Sequence, residues 1–242
     1  MFRMKAILTL CATLAFMLSP VISPGFSGFT ADQFPVPQVD PPIQPMGLTF
    51  AVIWTVIYAW LIAMAGYGLL KRAEDPIWDA PRWPLFASLV VGAAWIPVAN
   101  LSPGWATVLI WVMLGTALQA LSRIPAALSR HDRLWLQAPL ALYAGWLTAA
   151  CCVATAVLAT GHGATPVFAV HAGFLLLAAL IAAAVARRRP APFYLGALIW
   201  AVLGIVIDNA AAGRGAFAAL AGLVLLALLA LEGRAITRLR AG

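Results

Sequence analysis

Few side chains in this sequence could carry out chemistry, and their spacing does not bring them together. His171 and Gln119 each lie alone in a long apolar run, and Asp208 and Asn209 end another. Such a residue is a functional candidate, but a lone histidine more often bonds a neighbouring helix. The sequence has no nucleotide-binding glycine loop, nucleophile elbow or metal-ligand cluster. We therefore predict no catalytic residue and no metal site.

Aromatic side chains are the stronger candidates, because the sequence contains 10 tryptophans. Half of them lie near the ends of apolar segments or in connections, where an interfacial aromatic belt explains them. The deeper ones are Trp54, Trp95, Trp111, Trp146 and Trp200. A deep indole either packs against helices and lipid or lines a cavity, since its face stacks on planar molecules and its N–H can bond a carboxylate.

The segment from Pro41 to Leu70 combines both signals, because a proline-rich stretch leads into an uncharged apolar helix. Trp54 and Tyr58 are four residues apart and so share a helix face. We expect this face to hold a flat ligand. A second face carries only small side chains, and we expect it to contact a neighbouring helix. Its residues are Ala51, Thr55, Ala59 and Ala63.

Composition identifies the class of protein. The chain is 64% hydrophobic and 10% charged, with a mean hydropathy of +0.96, whereas soluble domains are about 25% charged. Long unbroken apolar runs favour a helical bundle over a β-barrel. The chain is therefore predicted to be an all-α integral membrane protein. The net charge of +7 is explained by cytoplasmic loops beside an anionic leaflet, so we predict membrane lipids and no nucleic acid as partners.

Apolar periodicity predicts eight transmembrane helices. The first, about residues 6–23, resembles a signal peptide in charge and length, but it lacks a small-residue cleavage site, and we expect it to be retained. A loop rich in proline and phenylalanine follows over residues 24–45, and we expect it to form a lid at the membrane surface. The other helices are predicted at about residues 47–70, 84–101, 105–121, 134–160, 167–186, 192–207 and 216–231.

The basic residues predict the orientation of these helices. Of the 15 lysines and arginines, all except Arg214 fall at the N-terminus, at the C-terminus or in alternate connections. By the positive-inside rule, both termini are then cytoplasmic. One helix more or fewer would place basic segments on both sides of the membrane, so the alternation supports the count of eight.

Four motifs in order resemble the TspO/MBR family, the translocator proteins or tryptophan-rich sensory proteins. IWTVIY at residues 53–58 is similar to that family's second helix, and AAWIP at residues 93–97 to its third. GWATVLIW at residues 104–111 and LALYAGW at residues 140–146 are similar to its fourth and fifth. The resemblance covers about residues 5–158.

The resemblance implies a five-helix bundle over residues 1–160, with a cavity that binds porphyrins and other hydrophobic ligands beneath the loop between its first two helices. It also implies a role in regulating tetrapyrrole-linked processes in a bacterial inner membrane. No cofactor is certain, but a porphyrin or haem-like ligand is implied. The ligand-binding positions carried over by the motifs are Trp54, Tyr58, Trp95, Tyr143 and Trp146. Tyr143 and Trp146 share a face, and a ridge of Ala141, Gly145 and Ala149 would let helices approach closely.

This sequence departs from the family pattern at several positions. Ser88 and Gly92 stand where polar amides are often found, and Ala149 and Ala154 replace an aromatic residue and an asparagine. We therefore expect a larger, less polar pocket. The helices of residues 161–242, with a basic cytoplasmic tail, have no counterpart in the five-helix family. We expect them to form an added unit that packs on the bundle or provides a surface for a homodimer or a larger complex.

Three classes of function remain open on these grounds. The first is a membrane-embedded binding or sensory protein for a porphyrin-like or other hydrophobic small molecule. The second is an enzyme, with porphyrin degradation as the reaction. The third is an assembly subunit of a membrane complex, or a transporter of hydrophobic molecules, although the scarcity of charge within the helices disfavours proton-coupled transport.

Overall fold

In a computed structural model, residues 1–23, 28–45 and 47–241 are described, with the backbone alone at residues 240 and 241. All regular structure in these residues is helical, and eight helices are long and apolar enough to cross a membrane. The long helices are α1 (Phe2–Ile22), α2 (Gly47–Lys71), α3 (Arg82–Leu101), α4 (Pro103–Arg123), α5 (Ala138–Gly161), α6 (Val167–Arg188), α7 (Pro192–Ala211) and α8 (Gly215–Ala241). The predicted fold class is therefore confirmed.

Two boundaries differ from the predicted ones. Helix α8 continues about three turns past residue 231, so the basic C-terminal tail is helical rather than an extended appendage. Pro139 does not interrupt a continuous α-helix, because a π-helical turn over Arg133–Gln137 comes first and places this proline in the first turn of α5. The missing proline N–H is tolerated at that position.

Contacts between connections place the predicted inside segments at one end of the bundle. At this basic end, Lys5 pairs with Asp79 at 2.5 Å, Arg72 approaches Asp132, and Arg189 bonds two carbonyl groups at the end of α4. The lid loop lies at the opposite end, with Arg214. The alternation of basic residues therefore corresponds to the two ends of the bundle. That the basic end is cytoplasmic stays a prediction.

A buried arginine joins three helices at the basic end. Arg82 is 4% exposed and donates to two carbonyl oxygens at the end of α2, that of Gly68 at 3.2 Å and that of Arg72, just after the helix, at 2.9 Å. It also pairs with Asp79 at 3.2 Å, and Lys5 of α1 completes this cluster. Terminal helix carbonyls have no intrahelical partner, so the guanidinium satisfies acceptors that lipid cannot.

Helix α5 is the centre of the bundle and packs against α2, α4, α6 and α7. In the most apolar 18-residue stretch of this crossing, 83% is buried, which is the largest share of any described helix. The ridge that contains Gly145 faces α7, as the spacing of small residues predicted. A Cβ atom at Gly145 would lie 2.2 Å from the carbonyl oxygen of Tyr194. The two backbones are therefore as close as a glycine allows, in agreement with small residues mediating helix contacts in membranes.

The small-residue face of α2 differs from the prediction that it contacts a neighbouring helix. Ala51, Thr55, Ala59 and Ala63 are all exposed, so this face is not packed against another helix within the described residues. The α2 residues that pack inward are Ile53, Ile57, Leu61 and Met64, on a different face. A stripe of small residues is compatible with helix contact, but large aliphatic side chains fill the space inside this bundle.

The close contact at Gly145 gives a test of the packing. We expect Gly145→Ala to lower the free energy of unfolding by about 2 kcal/mol, because its methyl group meets a backbone carbonyl that cannot rotate away. Gly173→Ala in α6 is the matched control, since nothing lies within 4 Å of its added Cβ atom. Unfolding of both variants in detergent provides the measurement. Equal stability of the two would contradict the proposed contact.

Candidate ligand-binding cavity

A cavity of about 420 Å³ lies under the lid loop, bounded by the first five helices. Its volume falls within the range of about 300 to 1,000 Å³ that is typical of small-molecule sites. The lining residues are Phe16, Pro20, Gly28, Gln44, Gly47, Phe50, Ala51, Trp54, Tyr58, Trp95, Ile96, Ile110, Met113 and Leu147. Aromatic and aliphatic side chains dominate this set, and no charged side chain belongs to it. The cavity is therefore suited to an apolar ligand.

One wall of the cavity is a stacked aromatic pair on α2. The rings of Trp54 and Tyr58 lie 5.3 Å apart at an angle of 22°, as their spacing of four residues predicted for a shared face. The phenol ring of Tyr58 and the indole of Trp54 are both only partly buried. Neither the indole N–H nor the hydroxyl group has a hydrogen-bond partner among residues 1–23, 28–45 and 47–241. These donors are available to a ligand.

Trp146 lies directly behind this pair. Its indole meets the ring of Trp54 edge to face at 6.2 Å, and that of Phe50 at 5.3 Å. The side chain is 1% exposed, so it supports the lining rather than forming it. Its Nε1 atom is buried and has no hydrogen-bond partner in the described part of the chain. Because a buried donor without a partner costs about 1 to 3 kcal/mol, this atom needs an explanation.

Tyr143 has a structural role at the cavity floor. It is fully buried, and its ring contacts the ring of Phe16 at 5.8 Å. The Ser88 hydroxyl group donates its hydrogen bond to the carbonyl oxygen of Met113 at 2.8 Å. In the 2.9 Å bond between Ser88 and Tyr143, the tyrosine hydroxyl group is therefore the donor. This chain of bonds connects α5, α3 and α4. Tyr143 therefore positions the lining, and its hydroxyl group is already occupied.

Trp95 lines the cavity from α3, next to the lid. Its Nε1 atom donates to the carbonyl oxygen of Ala106 at 2.8 Å, which ties α3 to α4. Its ring lies 6.5 Å from that of Phe29 in the lid loop. The structure thus places Trp54, Tyr58 and Trp95 on the surface of one cavity, with Tyr143 and Trp146 behind it. Ligand binding by these residues stays a prediction.

The five deep tryptophans divide into two groups by their indole nitrogens. Those of Trp95, Trp111 and Trp200 bond oxygen atoms of other helices at 2.8, 2.9 and 3.0 Å. These three side chains join helices. Trp54 and Trp146 are the two whose nitrogens lack a partner among the described residues, and they are in contact with each other at the cavity. The division separates structural indoles from candidate ligand-binding ones.

Phe16 of α1 is the site residue that the sequence motifs missed. Its ring contacts those of Trp54, Tyr58 and Tyr143 at 5.1 to 5.8 Å. Gly92 makes room for it, because a Cβ atom there would lie 2.7 Å from the Phe16 ring. The buried face of α1 repeats at helical spacing through Thr9, Thr13 and Phe16, and that pattern could have indicated the residue. The apolar ring of Phe16 occupies the space over Gly92, as expected for a less polar pocket. The expected larger size of the pocket stays a prediction.

The lid loop is fastened to three helices, α3, α5 and α7, at the end of the bundle opposite the basic one. The amide of Gln33 donates to the carbonyl oxygen of Ala99 at 3.0 Å. The ring of Phe34 covers Gly161, where a Cβ atom would lie 2.3 Å from it. Asn209 at the end of α7 donates to the carbonyl oxygen of Pro42 at 2.7 Å. Residues 24–27, which include Phe26, and residue 46 lie outside the described residues. The described lid is therefore held in part by α7 and by Arg214 of the α7–α8 turn.

The isolated polar residues take structural positions. His171 is fully buried, and its Nε2 atom lies 3.2 Å from the hydroxyl group of Thr160. Asp208 pairs with Arg214 at 2.7 Å, and Gln119 is exposed. Within the described ranges, no group of three or more His, Cys, Asp or Glu side chains could hold a metal ion. The arrangement at the cavity favours binding of a flat apolar molecule with hydrogen-bond acceptors.

Comparison with known sequences supports the family to which the motifs pointed. The sequence model of the family described as TSPO-like protein matches residues 6–232. Comparisons with curated proteins and with solved structures gave no match. The family match extends past residue 158 and includes the last three helices, which the five-helix comparison had left without a counterpart. The chain therefore belongs to the TSPO-like protein family, as a multi-pass membrane protein with eight apolar helices.

Proposed function

We propose that this TSPO-like protein binds a planar, porphyrin-like ligand in the aromatic cavity and acts as a membrane-embedded sensor for tetrapyrrole-linked processes, in a bacterial inner membrane with both termini cytoplasmic. The observation that carries the proposal is the contact between Trp54 and Trp146, two deep indoles whose nitrogens lack a partner in the described residues. In this molecule, the other deep indoles bond protein oxygen atoms.

Ring geometry supports a flat ligand. The stacked rings of Trp54 and Tyr58 and the ring of Trp95 face the cavity, and Ile110 and Leu147 supply apolar contacts. Aromatic pairs contribute about 0.5 to 1.5 kcal/mol beyond the burial of their area. A macrocycle that contacts several of these rings would bind by stacking, without a charged partner in the lining.

The unpartnered donors support a ligand with carboxylate or carbonyl groups at its edge. Trp54 and Tyr58 present an N–H and an O–H group to the cavity, and the Gln44 amide adds donors at its mouth. Hydrogen bonds to charged groups contribute about 1.5 to 3 kcal/mol each. Porphyrins combine a flat apolar ring with acidic side groups, so they fit both features of the cavity.

The exposed position of Ala51 supports access from the bilayer. Ala51 belongs to the cavity lining, yet it is exposed on the outer face of α2. The cavity therefore reaches the lipid-facing surface beside this residue. A hydrophobic ligand that is dissolved in the membrane could enter there while the lid stays fastened. This gives part of the small-residue face of α2 a role that differs from the expected helix contact.

The lid supports a sensory role, because it connects the cavity to the end of α7 and the α7–α8 turn. Gln44 lines the cavity, and Pro42, two residues earlier, accepts a hydrogen bond from Asn209. Asn209 in turn accepts one from Arg214 at 2.7 Å. A ligand that displaces Gln44 would act on this chain of bonds. The coupling would then run from the cavity to the α7–α8 turn.

We expect purified protein to bind a dicarboxylic porphyrin with quenching of tryptophan fluorescence. The double variant Trp54→Phe, Trp146→Phe should weaken binding about tenfold, since it removes the Trp54 donor from the lining and the indole that supports that ring from behind. Trp60→Phe is the matched control on α2, because its ring contacts Phe193 outside the cavity. The dimethyl ester of the porphyrin should lose less affinity in the double variant. Unchanged affinity in the double variant would contradict the proposal, and steady loss of porphyrin absorbance would favour an enzyme.

The access route gives a kinetic test. We expect Ala51→Phe to slow porphyrin association several-fold, because it narrows the opening at α2. The free energy of unfolding should change little. Ala59→Phe is the control, because Ala59 is two turns away on the same exposed face and does not line the cavity. Stopped-flow fluorescence in lipid nanodiscs measures both rates. Equal slowing in both variants would rule out access beside Ala51.

A further inference from the structure

A groove at the basic end of the bundle combines an apolar wall with two arginines. Helices α4 and α6 both pack against α5, and the groove between them has a volume of about 320 Å³. Its lining residues are Leu118, Leu121, Ser122, Val185, Arg188 and Arg189. The apolar side chains lie within the helices, and both arginines lie at the end of α6. This is the order of groups along a phospholipid, with acyl chains in the hydrocarbon and phosphate at the interface.

Arg189 has donors that the protein leaves unused. Its Nη2 atom donates to the carbonyl oxygens of Ser122, at 3.2 Å, and Ile124. Its Nη1 atom is buried and has no hydrogen-bond partner in the described part of the chain. Burial lowers the pKa of this guanidinium group, although it stays charged. A half-buried guanidinium group with an unpaired donor is costly unless an anion approaches it.

Neither arginine of the groove has a carboxylate partner among the described residues. Glu232 of α8, whose carboxylate lies beside Gly196 of α7, forms no ion pair in the described part of the chain. Between Asp132 and Asp208 the sequence contains no acidic residue. The Asp132 carboxylate is already occupied by Trp78 at 2.9 Å and by Ser129 at 2.7 Å. Arg188 is exposed, and neither it nor Arg189 forms an ion pair with any described side chain. An external anion is therefore the remaining partner for this charge.

We propose that the groove between α4 and α6 is a binding site for one anionic phospholipid, with its phosphate group between Arg188 and Arg189 and an acyl chain along Leu118, Leu121 and Val185. Guanidinium groups bind phosphate through paired N–H donors, and basic pockets between membrane helices bind anionic headgroups. A free phosphate ion would use the arginines alone. The apolar wall is what favours a lipid.

Such a lipid would connect two parts of the chain. Helix α4 belongs to the predicted five-helix unit, and α6 begins the three-helix unit. Arg189 already joins them by bonding the carbonyl groups of Ser122, in the last turn of α4, and of Ile124, which follows it. The phosphate would add a second connection, so anionic lipid should stabilise the arrangement of these units. This inference does not depend on the ligand of the aromatic cavity.

Native mass spectrometry of the full chain tests the site with phosphatidylglycerol and phosphatidylcholine that carry the same acyl chains. We expect one phosphatidylglycerol to bind several-fold more tightly than phosphatidylcholine. Arg188→Gln should weaken that binding about tenfold, as expected for the loss of one charge-assisted bond. Arg187→Gln is the matched control, because this neighbour is equally basic and exposed but does not line the groove. Equal affinity for both lipids, or equal loss in both variants, would overturn the proposal.

Two further measurements separate a lipid from a free anion. Val185→Trp should fill the apolar part of the groove and weaken phosphatidylglycerol binding, while a Leu180→Trp control on the lipid-exposed surface of α6 should not. Inorganic phosphate should displace no more lipid than a control salt of equal ionic strength. Displacement by inorganic phosphate, together with full affinity in Val185→Trp, would show an anion site and overturn the lipid assignment.

Discussion

The close approach of α5 and α7 at Gly145 is the constraint on which the rest of the structure depends. In a bilayer there is little hydrophobic gain from bringing two apolar helices together, so van der Waals contact and internal hydrogen bonds must hold them. Gly145 lets the backbones meet, and the Tyr194 hydroxyl group, 2.7 Å from Thr148, adds a bond three residues later. Since Thr148 donates to the carbonyl oxygen of Ala144, the tyrosine is the donor in that bond. With α7 fixed there, α5 becomes the central helix and presents Tyr143 and Trp146 toward α1 and α2.

The cavity follows from how side chains fill the space on the opposite side of α5. Gly92 leaves a gap in α3, the ring of Phe16 fills it, and this ring supports Trp54, Tyr58 and Tyr143. The aromatic cluster is thus a network of mutually supporting rings rather than a row of independent residues. Polar groups that might have lined the cavity are used to hold helices together, as with Ser88 and Tyr143. What stays available for a ligand is a set of ring faces and a few donors.

The two ends of the bundle are chemically different. At the lid end, hydrogen bonds from Gln33 and Asn209 hold an irregular loop whose backbone needs partners. At the basic end, Arg82 and Arg189 place guanidinium groups on carbonyl oxygens at helix ends. Arg82 has a carboxylate partner in Asp79, whereas Arg189 forms no ion pair with any side chain that the structure describes. This contrast is the reason why the buried Arg82 is a structural element and the half-buried Arg189 a candidate for binding an anion.

The sequence by itself determined the class, the eight crossings, the family and the local geometry of each helix. Apolar runs of membrane-spanning length and alternating basic segments suffice for the first two, and a spacing of four residues suffices to stack Trp54 on Tyr58. Only the tertiary structure decided which helix faces turn inward. The small face of α2 is exposed while that of α5 is buried, and Phe16 rather than a motif residue completes the aromatic cluster. The physical reason is that lipid-facing and core-facing surfaces of a membrane helix are equally apolar. Periodicity therefore cannot separate them, and the distinction arises only when helices pack and their polar atoms find partners.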